Sequence, residues 1–293
     1  MIPFDKRLTP ARGDIAAAHL EGQVEAARFV EGQVWQVRAP VASIRRAAAP
    51  DAPLETQAMM GEQITLYHMD TEAGWGWGQC AADGYVGHVA LGELTQALFA
   101  VTHRVKVLRT LVFGAPDLKS QVQGMLSMNA LVGIVETVDH YGRLATGGYV
   151  HRSHLTGLDV FADDFVAVAQ MFCGAPYWWG GKDSMGLDCS GLVQSAMRAA
   201  GFNPPRDADM QEGADVCGAP VEITPGFSGL QRGDLVFWPG HVGIMLDGAE
   251  MLHANAHHMM CASEPLVEAA RRIEAGTGHK VRHVKRPVGL GAA

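Results

Sequence analysis

Gly186-Leu187-Asp188-Cys189-Ser190-Gly191 is the stretch on which the reading turns. Leu192, Val193, Ala196, Met197 and Ala200 follow, and Gly201 closes the run. That apolar spacing predicts an amphipathic helix with Gly201 as its C-terminal cap. Cys189 then stands in the first turn, where unpaired N–H groups and the positive end of the dipole favour a thiolate. Asp188 is placed to cap the helix N-terminus. A cysteine so placed is a candidate nucleophile if a base lies nearby.

The candidate base comes some fifty residues later. Asp234 to Trp238 predicts one strand. His241 to Leu246 and Glu250 to Ala254 predict a hairpin around Asp247-Gly248. A three-residue loop centred on Asp247 would set His241 directly opposite His253 on one face, with Cβ atoms about 4.5–5.5 Å apart. A two-residue loop would put them on opposite faces. The first register gives a base, His241, oriented by a second ring, His253.

At these residues the chain resembles the NlpC/P60 cysteine peptidases of bacterial cell-wall peptides. The matching stretches are Pro176-Tyr-Trp-Trp-Gly-Gly181, Gly186 to Gly191, Pro205-Arg206-Asp207, Gly233 to Gly243 and Leu252-His-Ala254, in order over about 110 residues. The resemblance implies Cys189 as nucleophile, His241 as base and His253 as third polar residue. It also implies a papain-like α+β domain, with the nucleophile's helix packed on an antiparallel sheet that carries the histidines. Tyr177 would shape the site beside the nucleophile. Asp188, Ser190 and Asp207 match positions that bind substrate peptide in the recycling branch of the family. A helix over Asp163 to Phe172 is expected ahead of the nucleophile's helix.

The length suggests more than one domain. Residues 1–30 read as a linker and short helix, with Ala and Leu at helical spacing over Ala16 to Val30. From residue 31 the pattern turns β-like, in Gln33 to Val37, Gln63 to Tyr67 and Trp75 to Cys80. Gly84-Tyr-Val-Gly-His-Val-Ala-Leu91 is echoed by Gly148-Tyr-Val-His-Arg-Ser-His-Leu155, each closing a unit of short strands. That period is too long for a solenoid and suggests a duplicated small barrel. Lys106 to Leu108, Asn129 to Val135 and Tyr149-Val150 would supply strands of the second copy.

Both copies resemble bacterial SH3 domains. The expected multidomain layout is a first SH3 domain over residues 31–95, a second over 96–157 and the peptidase domain over 158–293. In the recycling branch the first barrel closes one end of the cleft, and an acid and a tyrosine hold the free amino group of the substrate's first residue. The matching positions are Glu55 and Tyr85.

A net charge of −8 argues against nucleic acid and anionic membranes as partners. The basic run His279 to Arg286 alternates with apolar residues and reads as an outward strand face. No leader peptide and no membrane span is read. Five cysteines, 80, 173, 189, 217 and 261, lack paired spacing, which fits a reducing cytoplasm and gives no structural zinc site. Cys173, Cys217 and Cys261 read as core fillers, and His257-His258 as a loop at the rim of the site.

The function implied is a cytoplasmic cysteine endopeptidase, without cofactor or metal. It would cleave the γ-D-Glu–diamino acid bond of free murein peptides with N-terminal L-Ala. Two alternatives are an amidase or acyltransferase of the CHAP kind and a non-catalytic wall-binding SH3 protein. The matches around Tyr177, Asp207 and His253 argue against the first. The intact Cys-His-His set and the absent export signal argue against the second.

Overall fold

The computed structural model describes residues 4–287. The expectation of no leader rests partly on residues 1–3, outside that range. The chain divides into two compact units, residues 1–158 and 159–293.

The first unit is almost entirely β. Its largest sheet has seven strands, in the order Leu94–Thr95, Gln33–Val37, Gln63–Asp70, Trp75–Cys80, Val86–Ala90, Val41–Arg45 and Leu54–Met59. Alternating burial along Val41–Arg45 and Val86–Ala90 turns Ala42, Ile44 and Val89 into a core with Val37, Ile64 and Leu66. A second core gathers Val105, Leu126, Val132, Leu144 and Val150, and also takes Met59 and Met60 from the end of the preceding sheet. Gly61 makes that junction possible. Its φ is +82°, and a Cβ there would lie 2.3 Å from the Leu131 carbonyl oxygen.

The two halves of the visible repeat end alike. Val86–Ala90 and Tyr149–His151 each run into a 3₁₀ turn and then a short strand, Leu94–Thr95 or Leu155–Gly157. The predicted strand at Lys106 to Leu108 is instead the turn between His103–Val105 and Arg109–Phe113. Residues 1–30 also differ from expectation. No helix forms over Ala16 to Val30; Ala11–Arg12, Ile15–Ala17 and Phe29–Val30 make a small sheet, with one 3₁₀ turn at Ala18–Leu20. Ile15, Ala16 and Ala17 are fully buried in sequence, so burial on both sides overrides alanine's helix propensity. The segment is no loose linker: the Val86 amide donates to Arg7 O and the Gln79 side chain to Leu8 O.

The second unit is built on a six-stranded antiparallel sheet. Its order is Ala219–Val221, His283–Arg286, Leu235–Trp238, His241–Met245, Glu250–Asn255 and Met260–Pro265. Four α-helices accompany it: α1 (Phe165–Gln170), α2 (Cys189–Ala199), α3 (Ala208–Gly213) and α4 (Leu266–Thr277). α1 packs on α2, and α2 packs on strands His241–Met245 and Glu250–Asn255. α4 follows the last sheet strand directly and sends Leu266 and Ala269 into a core with Trp238, Met245 and Met251.

α2 is buried nearly all round rather than along one stripe. Its polar side chains are therefore bonded inward: Ser195 Oγ donates to Lys182 O at 2.7 Å, and Gln194 Nε2 to Pro204 O at 3.2 Å. Its end is as read from the sequence. Gly201 takes a φ of +88°, and the Phe202 amide reaches back to Met197 O. The basic run at the C-terminal end faces outward at His279, Lys280, Arg282 and His283 but not at Lys285. Lys285 is buried and donates to Glu212 O and Ala214 O, Arg282 and His283 pair with Glu212, and Arg286 pairs with Asp234.

Candidate active site

The start of α2 is fixed by one buried ion pair. Asp188 is the N-cap, and its Oδ1 accepts the Gly191 amide at 2.7 Å. Its Oδ2 accepts the Gly180 amide at 2.8 Å. Arg206, 1% exposed, grips the same carboxylate with both Nη groups at 2.9 and 2.8 Å, and also donates to Ser190 Oγ and Gly181 O. Gly191 lies so close to the Gly181 carbonyl that a Cβ would sit 2.2 Å from its oxygen. Cys189 is thereby pinned as the first residue of α2. Its thiol meets the Val242 and Ser190 amides, so it lies at the start of the strand that begins with His241.

The hairpin register differs from expectation by two residues. Ile244 pairs with Leu252 and Met245 with Met251, so the loop Asp247-Gly248-Ala249 is centred on Gly248. His241 and His253 are then diagonal neighbours rather than directly opposed. A shift of two preserves the face, because side chains alternate with period two. The rings meet edge to face with centroids 5.0 Å apart, and His241 Nε2 lies 2.8 Å from His253 Nδ1. His253 is fully buried, and its Nε2 lies 2.7 Å from Glu264 Oε1. Glu264 in turn is held by both Nη groups of Arg272, from α4. Trp238 packs against the His241 ring, with centroids 5.7 Å apart.

These surroundings drive the Cys189 thiol and the His241 imidazole toward their neutral forms. Burial, with the Asp188 charge added, pushes the Cys189 thiol up to about 12, against the pull of the Val242 and Ser190 amides and Arg206. Burial brings the His241 imidazole down to about 3, helped by His253 and Arg272 and opposed by Glu264. His253 is also lowered, chiefly by burial. The standing thiolate expected from the helix start is thus not favoured in the folded site. The dipole is outweighed by desolvation and by the acid that caps the same helix.

The other residues singled out from the sequence fall into three places. Tyr177 lies beside the nucleophile; burial first, then Cys189 and Asp188, raise its phenol. The Asp188 and Ser190 side chains are engaged within the Arg206 network, and Asp207 is the N-cap residue of α3 without a side-chain cap bond. Glu55 and Tyr85 lie in the first unit and line one cavity of about 540 Å³ with Lys6, Arg45, Arg46 and His88. Glu55 pairs there with Arg46, and Tyr85 is 3% exposed.

Sequence reasoning missed Glu264 and Arg272. The signal was present: Leu266, Ala269, Ala270 and Ile273 recur at helical spacing just after Pro265. Cys173 is exposed, not a core filler, and all five cysteines are free thiols. His253, His258 and Glu264 bring ligand atoms within 4.8 Å of one another, but Glu264 is already committed to His253 and Arg272.

A buried Cys–His–His constellation, with the cysteine at the start of a helix packed on an antiparallel sheet, defines a cysteine-nucleophile α+β domain. Residues 174–269 match the NlpC/P60 family, and residues 44–94 match the bacterial dipeptidyl-peptidase SH3 domain. The chain therefore carries an NlpC/P60 cysteine-peptidase domain behind a bacterial SH3 domain. It is 39% identical over 123 residues to dipeptidyl-peptidase 6 of Lysinibacillus sphaericus, covering 39% of this chain and 43% of that protein. It is 27% identical over 233 residues to γ-D-glutamyl-L-lysine dipeptidyl-peptidase of Bacillus cereus, covering 69% and 67%. An NlpC/P60 family protein of Bacillus cereus has the same fold, with a TM-score of 0.70 at 19% identity over 88% of this chain and all of that one. The match to the Lysinibacillus sphaericus protein thus spans less than half of its length.

Two outcomes follow from this geometry. Arg206→Leu leaves the Asp188 carboxylate buried without its cation, so urea unfolding of the second unit should show a loss of about 3–5 kcal/mol; a loss below about 1 kcal/mol contradicts that role for the pair. The second concerns pH. His241 and His253 bind a proton less readily folded than unfolded, so the unfolded chain holds more protons below about 6.5. Stability should fall as pH drops from about 6.5 toward 5, and His241→Gln should flatten that slope in urea titrations at several pH values. An unchanged slope would mean that His241 is not held neutral by the fold.

Proposed function

We propose that this chain is a cysteine endopeptidase of murein peptide recycling. It cleaves the bond between γ-D-Glu and a diamino acid in free peptides that begin with L-Ala. The observation that carries the reading is the hydrogen-bonded line of side chains running from Arg272 and Glu264 through fully buried His253 to His241, at the strand start where the Cys189 thiol lies. A fully buried imidazole such as His253 is costly unless both ring nitrogens are bonded, and the line it centres ends at the strand start beside a candidate nucleophile.

The chemistry follows from the neutral resting pair. His241 takes the thiol proton on Nδ1, the ring nitrogen that His253 does not engage, as Cys189 Sγ attacks the γ-carbonyl. The N–H of Cys189 belongs to the first turn of α2, has no acceptor among the described residues, and is suited to the developing oxyanion. His241 then passes its proton to the departing amine. It next takes a proton from the water that resolves the thioester and returns it to Cys189 Sγ, which leaves as the thiol.

The substrate assignment draws on the named relatives and on the first-unit cavity. Glu55 and Tyr85 share that cavity, and Glu55 offers a carboxylate to the ammonium of L-Ala. Its present partner, Arg46, is 66% exposed, so exchanging that ion pair for a substrate ammonium costs little. Such a clamp excludes uncut wall, in which the amine is acylated. Five free thiols fit a reducing cytoplasm, and among the described residues no helix is long and apolar enough to cross a membrane.

The test compares L-Ala-γ-D-Glu-diaminopimelate with its N-acetyl form. Wild type should prefer the free amine, and Glu55→Gln should lose most of that preference. A charge-assisted bond of about 1.5–3 kcal/mol corresponds to roughly a ten- to hundredfold loss in kcat/KM. Cys189→Ala should show no turnover, and His241→Ala should cost several orders of magnitude. Equal cleavage of both peptides by wild type would point to a general wall hydrolase instead.

A further inference from the structure

The bonds beyond His253 do more than hold it in place. We propose that Glu264 and Arg272 are positioning residues that decide which nitrogen of His241 is the base. The proposal rests on the reading of Cys189 and His241 as nucleophile and base, and takes it two residues further.

A guanidinium only donates hydrogen bonds. Arg272 donates from Nη2 to Glu264 Oε1 at 2.6 Å and from Nη1 to Oε2, so both oxygens act as acceptors. Burial pushes the Glu264 carboxyl up, but the bonds from His253 and Arg272 outweigh it and hold the group well below the usual carboxylate range. His258 also faces this carboxylate, with Nδ1 3.9 Å from Oε1. An ionised carboxylate has nothing to donate, so at 2.7 Å His253 must present a protonated Nε2. Neutral His253 then has its lone pair on Nδ1, and at 2.8 Å it accepts from a protonated Nε2 of His241. Neutral His241 is left with its lone pair on Nδ1. Every link runs donor to acceptor, and the direction is imposed by Arg272, the one member that cannot change roles.

The arrangement also answers the electrostatics of the site. A proton arriving on His241 creates an imidazolium in a buried setting that disfavours it. The Glu264 charge lies in line behind His253 and offsets part of that cost. Glu264 bonds to His253 and Arg272 rather than to His241, so beyond its charge it reaches the base through His253.

Glu264→Gln tests this, because it keeps the shape and removes one acceptor. Turned toward His253, the amide NH₂ needs an acceptor at Nε2 and reverses the tautomers of both histidines. Turned toward Arg272, it sets donor against donor. Adding Arg272→Met removes the second conflict and frees the amide oxygen to face His253.

The expected result for Glu264→Gln is a fall in kcat on the order of 100-fold at nearly constant KM. That lies below the roughly 10⁴-fold cost where the carboxylate contacts the base itself. The double variant Glu264→Gln/Arg272→Met should be several-fold faster than the single one, a recovery that a merely structural salt bridge would not give. Nitrogen-15 spectra of the imidazoles should show His241 unprotonated at Nδ1 in wild type, with the protonated form populated in Glu264→Gln. Iodoacetamide labelling of Cys189, followed by peptide mass, should rank the variants in the same order without any substrate. If no murein peptide is cleaved but labelling and spectra keep that order, the substrate reading fails and the positioning role stands. Activity of Glu264→Gln within twofold of wild type, a double variant no faster than the single one, or a protonated Nδ1 in the wild-type spectrum would each overturn it.

Discussion

The ion pair between Asp188 and Arg206 is the constraint on which the catalytic domain is assembled. One carboxylate caps α2, holds the Gly180 amide and binds a fully buried guanidinium, which also ties down Ser190 and Gly181. Taking two charges out of water is expensive, and the attraction repays it only when the geometry is good and the remaining lone pairs are filled. Here both oxygens of Asp188 are shared among amides and the guanidinium. The return is positional: Cys189 becomes the first residue of a buried helix, placed against the strand that carries His241.

That constraint has a chemical consequence. The acid that fixes the helix start also opposes a negative charge on the neighbouring sulfur, and burial opposes it further. In the proposed mechanism activation therefore falls to the His241 imidazole, which burial drives toward its neutral form. His253 is the hinge of this arrangement. It is fully buried, contacts His241 on one nitrogen and is anchored by a paired carboxylate on the other. The two networks meet at the start of α2, where Cys189 lies beside the Val242 amide.

Much of this was legible in the chain, and the gaps have physical causes. The helix after Cys189 and the hairpin after His241 were readable because apolar spacing and turn residues are local signals. The hairpin register was not fully readable. Asp247-Gly248 marks a turn, but whether its centre is Asp247 or Gly248 depends on the Asp247 side chain, which accepts the Ala249 and Glu250 amides. The shared face of His241 and His253 survived that ambiguity, and their direct opposition did not. Glu264 and Arg272 were missed because their role exists only once a strand and the following helix fold back beneath His253. The segment over Ala16 to Val30 misled for the opposite reason: alanines favour a helix locally, yet here Ala16 and Ala17 are buried in the central strand of a small sheet.

The most direct measurement is to catch the acyl-enzyme. The wild-type chain would be mixed with L-Ala-γ-D-Glu-diaminopimelate, quenched in acid within the first turnovers and mapped by peptide mass. An L-Ala-γ-D-Glu thioester on Cys189, and on none of the other four cysteines, is the expected result. Turnover without any adduct on Cys189, or an adduct on another thiol, would contradict nucleophilic catalysis at the start of α2.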